Sequence, residues 1–99
     1  MKFVTTNSSE EIVIGKDMTM TSSTSTKPLF VIKNTTNDAT GARLRFVKDK
    51  GGNGADNDVV GIIDFYGDDD GQNQTNFAQI KAQVADASNT TEGGKMTIA

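Results

Sequence analysis

The strongest constraint on the fold is the run Val59–Tyr66, which is apolar on both sides of an extended chain except at Gly61 and Asp64. Side chains alternate between two faces along a strand, so such a run is typical of a strand covered on both faces. Apolar residues are 34% of the 99 residues, or about 43% when glycine is counted in place of tyrosine, against about 45–50% in a globular chain counted in that second way. One chain has little material for two covers, and a second copy of the chain can supply one of them.

The other residues favour strands and turns over helices. Thr (13), Asp (10), Gly (10), Asn (8) and Ser (6) make up nearly half of the chain, while Leu occurs twice and Glu three times. Strong helix formers are therefore scarce. This composition argues against a helical bundle, a coiled coil or a transmembrane protein, and it predicts an all-β fold with short antiparallel strands.

Apolar runs, period-two alternation and flanking turn residues define the predicted strands. They are Lys2–Thr6, Glu11–Gly15, Asp17–Thr21, Leu29–Asn34, Ala42–Lys48, Val59–Tyr66 and Lys95–Ile98.

The segment Phe77–Ala87 fits two patterns. Apolar residues at Phe77, Ile80, Val84 and Ala87 match a helical stripe. One face of a strand is matched by Ala78, Ile80, Ala82 and Val84. We predict a strand, because a polar loop follows it and leads into Lys95–Ile98, which together make an antiparallel hairpin.

Charge and composition exclude several classes of function. The net charge is −3, from 10 basic and 13 acidic residues with no basic stripe, so nucleic-acid binding is not expected. The chain has no Cys and no His, which removes thiol chemistry, disulfides, histidine catalysis and the commonest zinc ligands. No run approaches the roughly 18–20 apolar residues of a membrane span. We expect no cofactor and no membrane insertion.

Two acidic loops resemble calcium-binding sequences. Gly51–Val59 is similar to the calcium-binding nonapeptide of β-rolls, but it occurs once and has Asp58 where a large apolar residue is required. Asp68–Gly71 lacks the closing Glu of an EF-hand loop, because position 79 is Gln. We therefore favour a flexible hairpin loop and an acidic turn with a positive φ at Gly71, and no firm metal site. The weaker calcium candidates are Asp56, Asp58, Asp68 and Asp70.

Asp64 is the best candidate for a catalytic carboxylate, because it interrupts an apolar strand. Glycoside hydrolysis needs two carboxylates facing each other. We favour an Asp64 that faces solvent or pairs with a cation, the candidates being Arg43, Arg45 and Lys81. The chain also has no nucleophile elbow and no phosphate loop, so we predict that it is not an enzyme.

Just over half of the chain carries several short motifs that are distinctive in combination. They are Val60–Asp69 (VGIIDFYGDD), Phe77–Ala82 (FAQIKA), Val84–Asp86 (VAD) and Glu92–Lys95 (EGGK), preceded by Arg43–Phe46 (RLRF). This combination resembles a module of tail-fibre and related structural proteins of bacteriophages, especially marine ones.

The resemblance implies a fibrous homotrimer, built either as a triple β-helix or as a shaft of prism-like or sandwich-like sheets. In that family such modules are repeated along long fibres, often before a C-terminal chaperone domain. We expect residues 1–26 to be an N-terminal shaft rung or attachment segment, and residues 27–99 to be the fibre module, truncated at its C-terminus.

The function that follows is that of a virion structural protein, part of a tail fibre or spike on the extracellular face of the tail, which extends and orients the host-recognition tip. The expected partners are two further copies of the chain, other virion tail proteins, and a host surface glycan or receptor. We predict a trimer core formed by Phe30, Ile32, Leu44, Phe46, Ile63, Phe65, Ile80, Val84 and Ile98.

Two alternatives of other classes remain. One is a monomeric β-sandwich binding or head-decoration module, which uses the acidic glycine-rich loops with or without calcium. The other is a tailspike glycosidase domain that depends on Asp64.

Overall fold

The computed structural model describes residues 11–99, so the predicted strand Lys2–Thr6 lies outside the described residues. The described residues divide into two units, with the boundary between Ala42 and Arg43. All three strands lie in the second unit: β1 is Val59–Asp68, β2 is Gln74–Asp86 and β3 is Gly93–Ile98. Residues 11–99 contain no helix, and hence none that could cross a membrane. The all-β prediction is confirmed, while the division at residues 26 and 27 stays a prediction.

The strands form one antiparallel sheet in the order β1-β2-β3. The predicted strands Val59–Tyr66 and Lys95–Ile98 are confirmed as the cores of β1 and β3. The segment Phe77–Ala87 is a strand, as predicted, because β2 spans Gln74–Asp86. Its helical alternative is wrong: β2 is the central strand and pairs with a neighbour on each side, which satisfies its backbone groups in a way that local helix propensity does not anticipate.

The register places the apolar side chains of the three strands in rows. Ile63 pairs with Ile80, and Ile80 pairs with Ile98. Residues directly opposite one another lie on the same side of a sheet. The resulting surface, here called the apolar face, consists of Gly61, Ile63, Phe65, Ala78, Ile80, Ala82, Met96 and Ile98.

The opposite side of the sheet is mostly polar. Asp64 pairs with Gln79, and Lys81 stands between Ile62 and Thr97. This surface, here called the polar face, consists of Ile62, Asp64, Tyr66, Asn76, Gln79, Lys81 and Thr97. The alternation of β2, with Ala78, Ile80 and Ala82 on one side, makes the sheet amphipathic.

Three bulges interrupt the ladders. The register skips Val60 in β1 and Phe77 and Ala85 in β2, so each adds one residue that has no partner opposite. The ring of Phe77 lies over Gly67, where an added Cβ would come within 3.4 Å of the ring. A residue without a side chain at position 67 therefore accommodates the bulged aromatic residue.

The β1–β2 turn is organised by Asp69. Its carboxylate accepts hydrogen bonds from the backbone N–H groups of Gly71 (2.8 Å) and Asn73 (2.9 Å), as in an Asx turn. These bonds hold the pKa of Asp69 below its usual value, those from Asn73 contributing most. The left-handed residue of the turn is Gln72 (φ 63°), so the prediction of a positive φ at Gly71 is wrong. The hydrogen bonds to Asp69 hold a turn whose left-handed residue lies one position later than the sequence predicts.

Residues 11–58 form no strand. Four strand predictions in this range are therefore wrong for the structure of one chain. They are Glu11–Gly15, Asp17–Thr21, Leu29–Asn34 and Ala42–Lys48. A suitable pattern of apolar side chains is not enough to form a strand. A strand also needs a neighbouring strand for its backbone hydrogen bonds, and these segments pair with no other described strand. Local bonds organise this region instead, such as those from Thr36 N to Asn34 and from Thr40 N to Asp38.

Candidate interaction surface

The apolar face is open to solvent over most of its extent. Phe65 is 51% exposed, Met96 68% and Ile98 75%. The half-buried residues of this face are Gly61 in β1 and Ala78, Ile80 and Ala82 in β2. Large apolar side chains that share a single face and remain exposed mark an interaction surface in soluble proteins.

One side chain from outside the sheet contacts this face. Phe46 packs on Gly61, and a Cβ added there would lie 2.8 Å from the Cβ of Phe46. Beside this contact is an apolar depression of about 200 Å³, lined in part by Ile63, Ile80 and Met96. Gly61 interrupts an apolar strand, and glycine in a strand often marks such a close approach. Its position was the sequence signal for this contact.

Residues 11–99 contain no fully covered core. No side chain among them, apolar or polar, is buried. Of the nine residues predicted for a trimer core, seven are exposed, Phe30 at 56% and Leu44 at 62% among them. The other two, Ile80 and Val84, are half-buried. A core shared between copies stays a prediction.

On the polar face, Asp64 accepts hydrogen bonds from two side-chain amides. The Nδ2 of Asn76 lies 3.0 Å and the Nε2 of Gln79 2.8 Å from Oδ1 of Asp64. Asp64 is exposed, as expected, but its partners are amides. The cation partners proposed for it are therefore wrong: the one ion pair in the described part of the chain joins Lys50 and Asp58. Cross-strand geometry brings the two amides closer than any cation.

The glycine-rich loop is joined to the sheet. The backbone N–H of Asn57 donates to the carbonyl of Val84 (2.8 Å), and the N–H of Val84 donates to the carbonyl of Asp58 (2.9 Å). The side chain of Lys95 reaches Oδ1 of Asn57 at 2.7 Å. Asn57 has a φ of 72°, which asparagine tolerates better than most residues. Asn57 thus connects the loop to both β2 and β3. No feature of the sequence predicts this role.

Asp58 holds the loop closed from within. Its Oδ2 lies 2.9 Å from Nζ of Lys50 and accepts a hydrogen bond from the N–H of Ala55, also at 2.9 Å. The hydrogen bond from Lys50, followed by that from Ala55, lowers the pKa of Asp58 from its usual value. The carboxylate is therefore committed to contacts within the chain.

The weaker calcium candidates are not brought together. Asp56 accepts a hydrogen bond from the N–H of Ala87 (2.9 Å), and Asp68 accepts one from the side-chain amide of Gln74. Within residues 11–99, no group of three acidic side chains is placed to hold a metal ion. The acidic side chains of these loops therefore connect the loops to the rest of the chain. The apolar face, in contrast, keeps large apolar side chains exposed.

The sequence matches no protein-family model, and no curated protein and no solved structure is significantly similar to it.

Proposed function

We propose that this chain is a virion structural protein: a β-rich segment of a phage tail fibre or spike, which works as a trimer and extends and orients the host-recognition tip. Its motifs, from the Val60–Asp69 strand to the Glu92–Lys95 turn, resemble modules of such fibres. The role is mechanical, and its partners are other copies of the chain, neighbouring tail proteins and a host surface glycan or receptor.

The observation that carries the proposal is the absence of a buried side chain in residues 11–99. A domain that functions alone stabilises itself by burying apolar side chains, each worth about 1.5–3 kcal/mol when fully covered. Here that contribution is not realised within one chain. Association of copies supplies the missing burial, as in obligate oligomers that have no stable folded monomer.

The alternative, a monomeric binding module that uses calcium in its acidic loops, is less well supported. Asp58 and Asp69 already accept two or more hydrogen bonds each within their own loops. Binding calcium through these oxygens would require those bonds to break.

Light scattering after size-exclusion chromatography tests the proposal directly. At micromolar concentration we expect a molar mass three times the 10.5 kDa of the chain, with β-type circular dichroism and an elongated particle in negative-stain electron microscopy. A folded monomer whose melting temperature rises with calcium would contradict the fibre and support the binding module.

A further inference from the structure

The glycine-rich loop is held at its ends and left open in its middle. Lys50 pairs with Asp58 across the loop, with 2.9 Å between Nζ and Oδ2. The N–H of Asn57 donates to the carbonyl of Val84 in β2. Between these anchors, a Cβ added at Gly52 would meet no atom within 4 Å. The backbone of the middle segment therefore has room to change its torsion angles.

Asn53 and Gly54 occupy this open segment, and they are the one Asn-Gly pair in the sequence. Both residues are exposed. Among residues 11–99, no hydrogen bond is made by the side chain of Asn53 or by the N–H of Gly54. The bonds of the loop fall on either side, where the N–H groups of Gly51 and Ala55 donate to carboxylates. The side-chain amide of one residue and the backbone nitrogen of the next are thus both free to meet.

The other asparagines among residues 11–99 lack one or both of these features. Four of them use the side-chain amide in hydrogen bonds, namely Asn34, Asn57, Asn73 and Asn76. Asn37 is followed by Asp38, and Asn89 by Thr90. A side chain on the following residue crowds the approach of its backbone nitrogen. The N–H of Thr90 is also engaged, because it donates to Oε1 of Glu92 at 3.0 Å.

We propose that Asn53 is a site of spontaneous deamidation in the folded protein, with the backbone nitrogen of Gly54 as the nucleophile. Glycine leaves this nitrogen unshielded because it has no Cβ. The nitrogen forms a bond to Cγ of Asn53, and the bond from Cγ to Nδ2 breaks. The proton of the Gly54 N–H passes to solvent, while the side-chain nitrogen takes up a proton from water and leaves as ammonia. The product is a succinimide ring.

Water then opens the ring at either of its carbonyl carbons. Attack at Cγ gives an aspartate at position 53, and attack at the backbone carbonyl gives an isoaspartate, in which the main chain runs through Cγ. In sum, an amide and water give a carboxylate and an ammonium ion. The net charge of the chain falls from −3 to −4, because one acidic group is added to the 13 present. The inference concerns the loop alone and does not depend on the proposed fibre.

Isoelectric focusing of the folded protein after incubation at mildly alkaline pH tests the site. We expect a more acidic band, shifted by one charge, which peptide mass spectrometry places on the peptide that carries Asn53. Asn53→Gln should lose this shift, because the longer side chain does not close the same ring. Asn89→Gln is the matched control: Asn89 is also exposed, and its replacement should leave the shift in place.

A second variant tests the nucleophile. Gly54→Val keeps the asparagine and crowds the backbone nitrogen, so it should also lose the shift over the same incubation. A Cβ added at Gly54 would meet only Oδ2 of Asp58, at 3.9 Å, so the loop has room for the side chain. Circular dichroism checks that each variant is folded.

Each contrary result overturns the proposal. No acidic band, or a band that maps to another asparagine, would show that the loop does not reach the geometry of attack. A band that forms in urea alone would show that the folded loop holds the two groups apart. A band that persists in Gly54→Val would indicate direct hydrolysis of the side-chain amide by water.

Discussion

Phe46 lies against Gly61 so closely that the Cβ of Phe46 would stand 2.8 Å from a Cβ added to the glycine. Through this contact, a side chain from the segment before the glycine-rich loop is seated on the apolar face. Since real Cβ atoms do not approach so closely, any side chain at position 61 must displace Phe46 or bend β1.

Gly61→Ala should therefore lower the free energy of unfolding by about 1 kcal/mol, because the added methyl group forces Phe46 off the sheet. Urea unfolding followed by circular dichroism, at one fixed protein concentration, measures the change. Gly52→Ala is the matched control, since an added Cβ there meets no atom within 4 Å. We expect the control to be neutral or stabilising by up to about 1 kcal/mol. Equal effects of both substitutions would show that Phe46 is free to move.

Ile80→Lys should abolish association of the chain, because it places a charge at the centre of the apolar face. Gln79→Lys adds the same charge one residue away on the polar face, beside Asp64, and should leave the oligomer unchanged. Both positions are half-buried in the sheet, which makes the pair a fair comparison. Sedimentation velocity distinguishes them. Loss of the oligomer in both variants, or in neither, would be inconsistent with a shared core that includes Ile80 and not Gln79.

The carboxyl group of Asp58 should titrate below its usual pKa of 3.8, and Lys50→Met should raise that pKa, because the hydrogen bond from Lys50 is the largest cause of its lowering. A pKa lowered by folding contributes stability above the unfolded value, and this stability is lost as the pH falls through the folded pKa. The loop should thus loosen below about pH 4, and less so in the variant.

Carboxyl chemical shifts in an NMR titration measure both values. Asp38 is the internal control, since hydrogen bonds from Thr40 lower its pKa and Lys50 takes no part. An unchanged Asp58 titration in Lys50→Met would show that the ion pair does not persist in solution.

Gln72→Gly should stabilise the β1–β2 turn by roughly 0.5–1 kcal/mol, because a left-handed φ of 63° costs a side-chain-bearing residue more than it costs glycine. Gln74→Gly replaces the same residue type at the start of β2 and should destabilise by a similar amount. Thermal unfolding of the two variants at equal concentration separates the effects. Stabilisation that fails to appear at position 72 would mean that the turn relaxes in solution.

The sheet can be predicted from the sequence because the residue pattern within each strand is enough to identify that strand. Val59–Tyr66 is a long apolar run, and Ala78, Ile80 and Ala82 alternate with polar residues, so each segment is identified by its own pattern without knowledge of its neighbours. Lys95–Ile98 follows a turn-rich loop at hairpin distance. In these cases local pattern and tertiary pairing agree.

The same pattern fails where pairing has to come from elsewhere. Ala42–Lys48 alternates as well as β3 does, but it pairs with no described strand. Alternation describes the two faces of a strand and says nothing about its edges, which require a partner for each ladder. The amide partners of Asp64 and the anchoring of Asn57 were missed for a related reason, since both depend on the cross-strand register.

The bulge at Phe77 is a position where the sheet could lose one residue without a change in pairing. On either side of it, Tyr66 pairs with Asn76 and Phe65 pairs with Ala78, so the ladder would close without the residue between them. Deleting a paired residue of β2 would exchange the two faces of everything beyond it. At Phe77 a deletion preserves the side on which every other residue of the sheet stands, so homologous chains can differ in length by one here and still present the same two surfaces.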